Sequence, residues 1–155
     1  MNLYLAQHGE AASKDVDPGR GLTSQGKKDM AAMAAYLKAR GISIGQVFDS
    51  GKLRAHQTAE ILASAIAPGA TIATHESINP LDLPTVIAEE IEQWDEDTLV
   101  VGHLPFLAKL VTLLITNHEE PPIVNFTPGT VICLERTSNA EWHIVWLLPP
   151  VLVRD

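Results

Sequence analysis

A single cysteine, Cys133, in 155 residues excludes an internal disulfide and fits a reducing compartment. No apolar run approaches the ~18–20 residues that a membrane-spanning helix needs. The residues ahead of Leu3 carry no basic segment of the kind that opens a secretory signal, so the expectation is a cytoplasmic protein with no membrane partner. Cations are scarce: 11 Lys and Arg stand against 19 Asp and Glu, a formal net charge of −8, and no basic cluster exceeds Lys27-Lys28. Nucleic acid, bound chiefly through its phosphates by grouped Lys and Arg, is therefore not an expected partner. There is no Gly-x-x-x-x-Gly-Lys-Ser/Thr loop for nucleotide phosphates. The histidines His8, His56, His75, His103, His118 and His143 are scattered without metal-ligand spacing, so neither a metal nor another cofactor is expected.

Hydrophobic residues make up 46% of the chain and charged residues 19%, a globular balance. The length suits one domain over residues 1–155 with a sizeable core. Strand and helix patterns alternate along it. Leu3-Tyr4-Leu5-Ala6 is an apolar, strand-like run that stops at Gln7-His8-Gly9. Thr23 predicts an N-cap for a helix carrying Met30, Met33, Ala34 and Leu37, closed by Gly41. Gln46 to Asp49 reads as a short strand ending at Ser50-Gly51. A second helix follows with Thr58, Ile61, Leu62, Ala65 and Ile66 on one face, stopped by Pro68-Gly69. Thr71 to Thr74 suits an edge strand and Pro84 to Trp94 a third helix. Thr98 to Val101 is the clearest buried strand, ending at Gly102-His103, and Pro105 opens a fourth helix through Ile115. Thr130 to Leu134 and Trp142 to Leu147 complete the set as strands. The pattern predicts one three-layer α/β/α domain with a mainly parallel central sheet flanked by helices.

Three strands thus end in Gln7-His8-Gly9, Ser50-Gly51 and Gly102-His103. Ligands of open α/β sheets bind at the carboxyl ends of the strands. The last two segments also open helices, whose free N–H groups favour an anion. Arg54, in the first turn of its helix, can reach the same crevice. Two readings are open on pattern alone. One is an anion site built from His8, His103 and Arg54; the other is an arginine paired to a surface carboxylate with two histidines bonded to loop carbonyls.

Four segments in order, Leu3 to Glu10, Gly21 to Gly26, Ser50 to Ala59 and Val100 to Pro105, resemble those of the histidine phosphatases, the phosphoglycerate mutase-like superfamily. The short length and the Pro18-Gly19-Arg20 lead into Gly21-Leu22-Thr23 are most similar to the small bacterial phosphohistidine phosphatases. The resemblance implies that His8 is the nucleophile that takes up a phosphoryl group. It implies that Arg54 holds the phosphate oxygens and that His103 donates to them. It further implies a phosphatase that removes phosphate from phosphohistidine in a signalling or phosphotransfer protein. The partner is then a phosphorylated histidine-containing protein or a small phosphorylated substrate. Phosphoryl transfer needs chiefly positioning and charge stabilisation, which such a set supplies.

The first motif departs from the family's Arg-His-Gly, because Gln7 stands where the arginine belongs. Gln7 keeps two N–H donors but lacks the charge and the bidentate fork. Arg20 is the favoured replacement cation, with Lys14 and Lys52 as others. An altered but active enzyme and a phosphate- or phosphopeptide-binding module that has lost catalysis are both open. Glu76 and Asp82 are the only carboxylates placed to serve as a general acid, and neither sits in a recognisable pattern. Lack of an acid suits an imidazole leaving group, which solvent can protonate, better than a sugar hydroxyl. A small-molecule phosphomonoesterase is the third reading. Gly41-Ile42-Ser43-Ile44-Gly45 matches a Gly-x-Ser-x-Gly nucleophile elbow in letters, but it follows a helix and precedes a strand, so it reads as a connecting loop. Cys133 reads as core, and His56 as a helix-surface residue. The apolar end, Ile144 to Val153, reads as a last strand and a tail packed on the domain itself, with a dimer contact as the alternative.

Overall fold

Ten elements and a terminal turn follow one another in the computed structural model, which describes residues 1–154; Asp155, the last residue of the expected domain, lies outside the described residues. They are β1 (Asn2–Gln7), α1 (Ser24–Ala39), β2 (Gln46–Asp49), α2 (Leu53–Ile66), β3 (Ile72–Thr74), α3 (Pro84–Ile91), β4 (Thr98–Gly102), α4 (Phe106–Thr116), β5 (Val131–Arg136) and β6 (Trp142–Leu148), with a 3₁₀ turn at Pro150–Leu152. The sheet runs β3-β2-β4-β1-β5-β6. Pairs β1–β4, β2–β4 and β2–β3 are parallel, and β5 alone opposes its neighbours β1 and β6. The expected three-layer α/β/α architecture with a mainly parallel sheet is what forms.

Strand periodicity divides the core in two. Tyr4 and Ala6 of β1, with Leu99 and Val101 of β4, pack under α1 and α2. Leu3, Leu5 and Val100 point the other way, under α3 and α4. Both faces of β1 and β4 are therefore covered, which explains why these strands are continuously apolar instead of alternating. Among the described residues no helix is long and apolar enough to cross a membrane.

Local signals explain most boundaries. Thr23 Oγ1 accepts the Gly26 N–H at 3.0 Å and caps α1 as expected. The Gly41 to Gly45 stretch lies between α1 and β2, as a loop. Two expectations need correction. The buried face of α2 is Ala55, Thr58, Ala59, Leu62, Ala63 and Ile66, whereas Ile61 and Ala65 are only partly buried. Packing of α2 against both the sheet and α1 selects this line of small residues over the bulkier one. Helix α3 stops at Ile91, short of Trp94, because the Arg136 guanidinium donates to the carbonyls of Ile91 and Glu92, at 2.8 and 3.3 Å, and to that of Trp94. Cys133 is buried in β5, and burial pushes its thiol up to about 11, consistent with a core residue. The tail folds back on its own domain: Pro150 is buried, and Arg154 grips Asp29 of α1 through Nε–Oδ1 at 2.8 Å and Nη2–Oδ2 at 2.9 Å.

Candidate active site

Backbone hydrogen bonds hold the end of β1 on both sides. The Gln7 N–H donates to the Thr130 carbonyl at 3.0 Å, and the His8 N–H to the Gly102 carbonyl at 3.1 Å. The Gly129 N–H is shared between the carbonyls of Gln7 and His8. Beyond His8, the Gly9 N–H donates to Thr58 Oγ1 at 3.0 Å, while that hydroxyl donates to the Arg54 carbonyl at 2.8 Å. Gln57 Oε1 accepts the Leu22 N–H at 2.7 Å, and the Thr23 N–H donates to the Glu10 carbonyl at 3.0 Å. Gly26 lets α1 rest directly on this turn, since a Cβ there would lie 2.2 Å from the Glu10 carbonyl oxygen. Three of the four motif segments are thus tied to each other through α2.

His8 Nδ1 lies 2.7 Å from the Gly9 carbonyl oxygen. A carbonyl only accepts, so Nδ1 carries the proton and the neutral ring keeps a bare lone pair on Nε2. Burial lowers the His8 pKa, and the charges of Arg54 and Arg20 lower it further, against the opposing Gly9 hydrogen bond. His8 is therefore neutral at pH 7, with Nε2 available as a nucleophile.

At the end of β2, Asp49 Oδ1 accepts the Gly51 N–H at 2.8 Å and stabilises a turn that Gly51 enters with φ +84°. The other oxygen, Oδ2, accepts from His56 Nδ1 at 2.7 Å, and this bond raises the His56 pKa. The turn delivers Ser50, whose Oγ lies 2.6 Å from His103 Nε2. His103, at the end of β4, is 2% exposed, and its ring centroid is 5.1 Å from that of His8. Burial, followed by repulsion from any proton on His8 and by the charges of Arg54, Lys52 and Arg20, pushes the His103 pKa down to about 3.

Two arginines meet at this crevice. Arg54, in the first turn of α2, has a buried Nε with no partner. Arg20 stands on a loop that Asp17 braces, its carboxylate accepting the N–H groups of Gly19 and Gly21 at 3.0 and 2.9 Å. Arg20 takes a left-handed φ of 51°, and its Nε donates to the Ala12 carbonyl at 3.1 Å. Burial and then the Arg20 charge lower the pKa of Arg54, so the two cations repel. Among the described residues, neither belongs to an ion pair. In a chain of net charge −8, two arginines without ion-pair partners, whose charges act on each other and on two neutral histidines, make a site suited to an anion.

His8, Arg54, His103 and Arg20 therefore come together. Gln7 is buried beside them with Oε1 unpartnered. Lys52 is near enough to act on His103, whereas Lys14 is exposed and makes no contact with this set. Glu76 is exposed, and Asp82 Oδ2 accepts the Asn79 N–H at 2.8 Å, closing a loop of its own. Sequence reasoning missed the hydroxyls of Ser50 and Thr58, whose contacts to His103 and Gly9 lie 53 and 49 residues away, and the Asp49–His56 pair, which forms only because the Gly51 turn folds α2 back over the end of β2.

The family model described as "Histidine phosphatase superfamily (branch 1)" matches residues 3–86. The chain belongs to the histidine phosphatase superfamily. Within the superfamily it is 25% identical to the phosphohistidine phosphatase SixA of Escherichia coli, over 97% of this chain and 94% of that protein. It is 29% identical to an uncharacterized protein of a Picosynechococcus species, over 96% of this chain and all (100%) of the other. The structure of the protein histidine phosphatase SixA complexed with tungstate superposes with a TM-score of 0.86 at 24% identity, covering 99% of this chain and 100% of that one. A mycobacterial glucosyl-3-phosphoglycerate phosphatase shares the fold at a TM-score of 0.70 and 15% identity, covering 94% and 98%. The superfamily's phosphoglycerate mutase-like fold is thus that of this chain.

Proposed function

We propose that this superfamily member is a phosphohistidine phosphatase that acts in the cytoplasm on a phosphorylated histidine-containing protein of a signalling or phosphotransfer system. The observation that carries the reading is the bare Nε2 of neutral His8, on which the charges of two arginines without carboxylate partners act. His8 Nε2 attacks phosphorus in line with the P–N bond of the substrate; that bond breaks as the new P–Nε2 bond forms. Solvent protonates the departing imidazole. Water then attacks the phosphorylated His8, the P–Nε2 bond breaks, inorganic phosphate leaves and the water proton passes to solvent. Arg54, Arg20 and His103 hold the phosphoryl oxygens in both steps, with Gln7 supplying amide N–H groups. Arg20 takes over the charge that Gln7 lacks. The loop bonding of Asp82 and the exposure of Glu76 favour a leaving group that needs no carboxylic acid.

A phosphorylated histidine protein and p-nitrophenyl phosphate, assayed side by side, test this. The expected result is a larger kcat/KM for the protein. Equal or reversed values would establish a phosphomonoesterase instead. Phosphate binding without turnover of either would establish the non-catalytic module that Gln7 also allows.

A further inference from the structure

Ser50 makes two hydrogen bonds that together restrict the proton of its hydroxyl. Ser50 Oγ lies 2.6 Å from His103 Nε2 and accepts the Lys52 backbone N–H at 3.4 Å. Both residues are buried, and the Asp49–Gly51 bond fixes the turn between them and α2. The Lys52 N–H can only donate, so His103 Nε2 is the one partner able to take the Ser50 proton. Were Nε2 itself protonated, Ser50 Oγ would receive two donors, and its own O–H would be left buried without an acceptor, an arrangement that costs stability. Placing the proton on Nδ1 satisfies Ser50, Lys52 and Nε2 at once. The Nδ1 atom is then a buried donor with no protein partner.

We propose that Ser50 is a positioning residue: its hydroxyl donates to His103 Nε2, confines the ring proton to Nδ1, and presents Nδ1–H as the donor to a phosphoryl oxygen. This rests on the phosphatase reading for its catalytic consequence but not for the tautomer itself. An alanine at position 50 cannot supply this donor, whereas a threonine can.

Long-range ¹⁵N NMR of the ligand-free protein, with the His103 signals assigned by loss in His103→Gln, reads the tautomer directly. The natural protein and Ser50→Thr are expected to show Nδ1 protonated and Nε2 bare, and Ser50→Ala a shift toward Nε2–H. In the same variants, kcat for a phosphorylated histidine protein is expected to fall about tenfold in Ser50→Ala, the scale of one lost buried hydrogen bond, with KM little changed and recovery in Ser50→Thr. Protonated Nε2 in the natural protein, or an unchanged tautomer in Ser50→Ala, would overturn the assignment. If Ser50→Ala does not fold, the natural protein and Ser50→Thr still decide it. A natural protein without turnover would remove the phosphatase reading, yet the tautomer spectrum would still confirm or refute the Ser50–His103 bond as drawn.

Discussion

Removing Arg20 should cripple the enzyme, and restoring an arginine at position 7 should matter only afterwards. Arg20 is held by its bond to the Ala12 carbonyl and by the Asp17-braced loop. Its charge acts on His8, Arg54 and His103 alike. Loss of one preorganised group that stabilises transition-state charge typically costs about 10²–10³ in kcat, and that is the loss expected for Arg20→Ala. Gln7→Arg alone places a third guanidinium beside two that already repel, so a gain below about tenfold is expected from so unfavourable a like-charge cluster. In the double variant the new arginine has no rival for the same oxygens and should recover much of the Arg20→Ala loss. The two sites are therefore non-additive, and a double-mutant cycle on kcat/KM with one phosphorylated histidine protein measures the coupling. A neutral Arg20→Ala together with a 10²–10³ gain from Gln7→Arg would refute compensation by Arg20.

Acid should unfold the ligand-free protein partly through its active-site histidines. The folded values of His103, about 3, and of His8 lie below the ordinary 6.5. Their contribution is thus fully present above pH 6.5 and is lost as pH falls toward the folded values. For His103 the whole shift is worth on the order of 5 kcal/mol. Urea titrations across pH 4–7 should show a shallower pH dependence in His103→Gln, and an unchanged slope would contradict the burial account. Binding of phosphate or vanadate should draw protons onto His103, read as a buffer-dependent binding enthalpy that His103→Gln abolishes; buffer-independent enthalpy would remove His103 from the anion site. Gly26→Ala should destabilise the fold by about 1–3 kcal/mol through overpacking against the Glu10 carbonyl, although alanine is the better helix former. An unchanged urea midpoint would show that α1 does not rest on the first-motif turn.

The parts of the fold legible in the sequence were those written in local chemistry. The apolar run before His8, the Thr23 cap and the buried run ending at Gly102 each carry their own signal, and each element forms where expected. What escaped depends on contacts between distant segments. Arg136 ends α3 from 42–45 residues away, and no feature of Pro84 to Trp94 announces it. The buried line of α2 follows the position of α1, not its own most apolar stripe. At the site, residue types and strand ends pointed to His8, His103 and Arg54, and the structure brings the two rings side by side within reach of the Arg54 charge. The bare lone pair of His8 Nε2 could not be read in advance, because it follows from the 2.7 Å approach of the Gly9 carbonyl to Nδ1. Likewise Ser50 had looked like no more than the end of a strand until its hydroxyl was found against His103.

The central claim is that His8 Nε2 accepts the phosphoryl group, and trapping the phosphorylated enzyme tests it most directly. The natural protein is incubated with radiolabelled phosphoramidate, quenched in alkali and split into halves. Label that survives base, is lost in acid and maps to His8 is the expected result, and His8→Ala should carry none. Label on a serine, or label that persists in His8→Ala, would contradict the account.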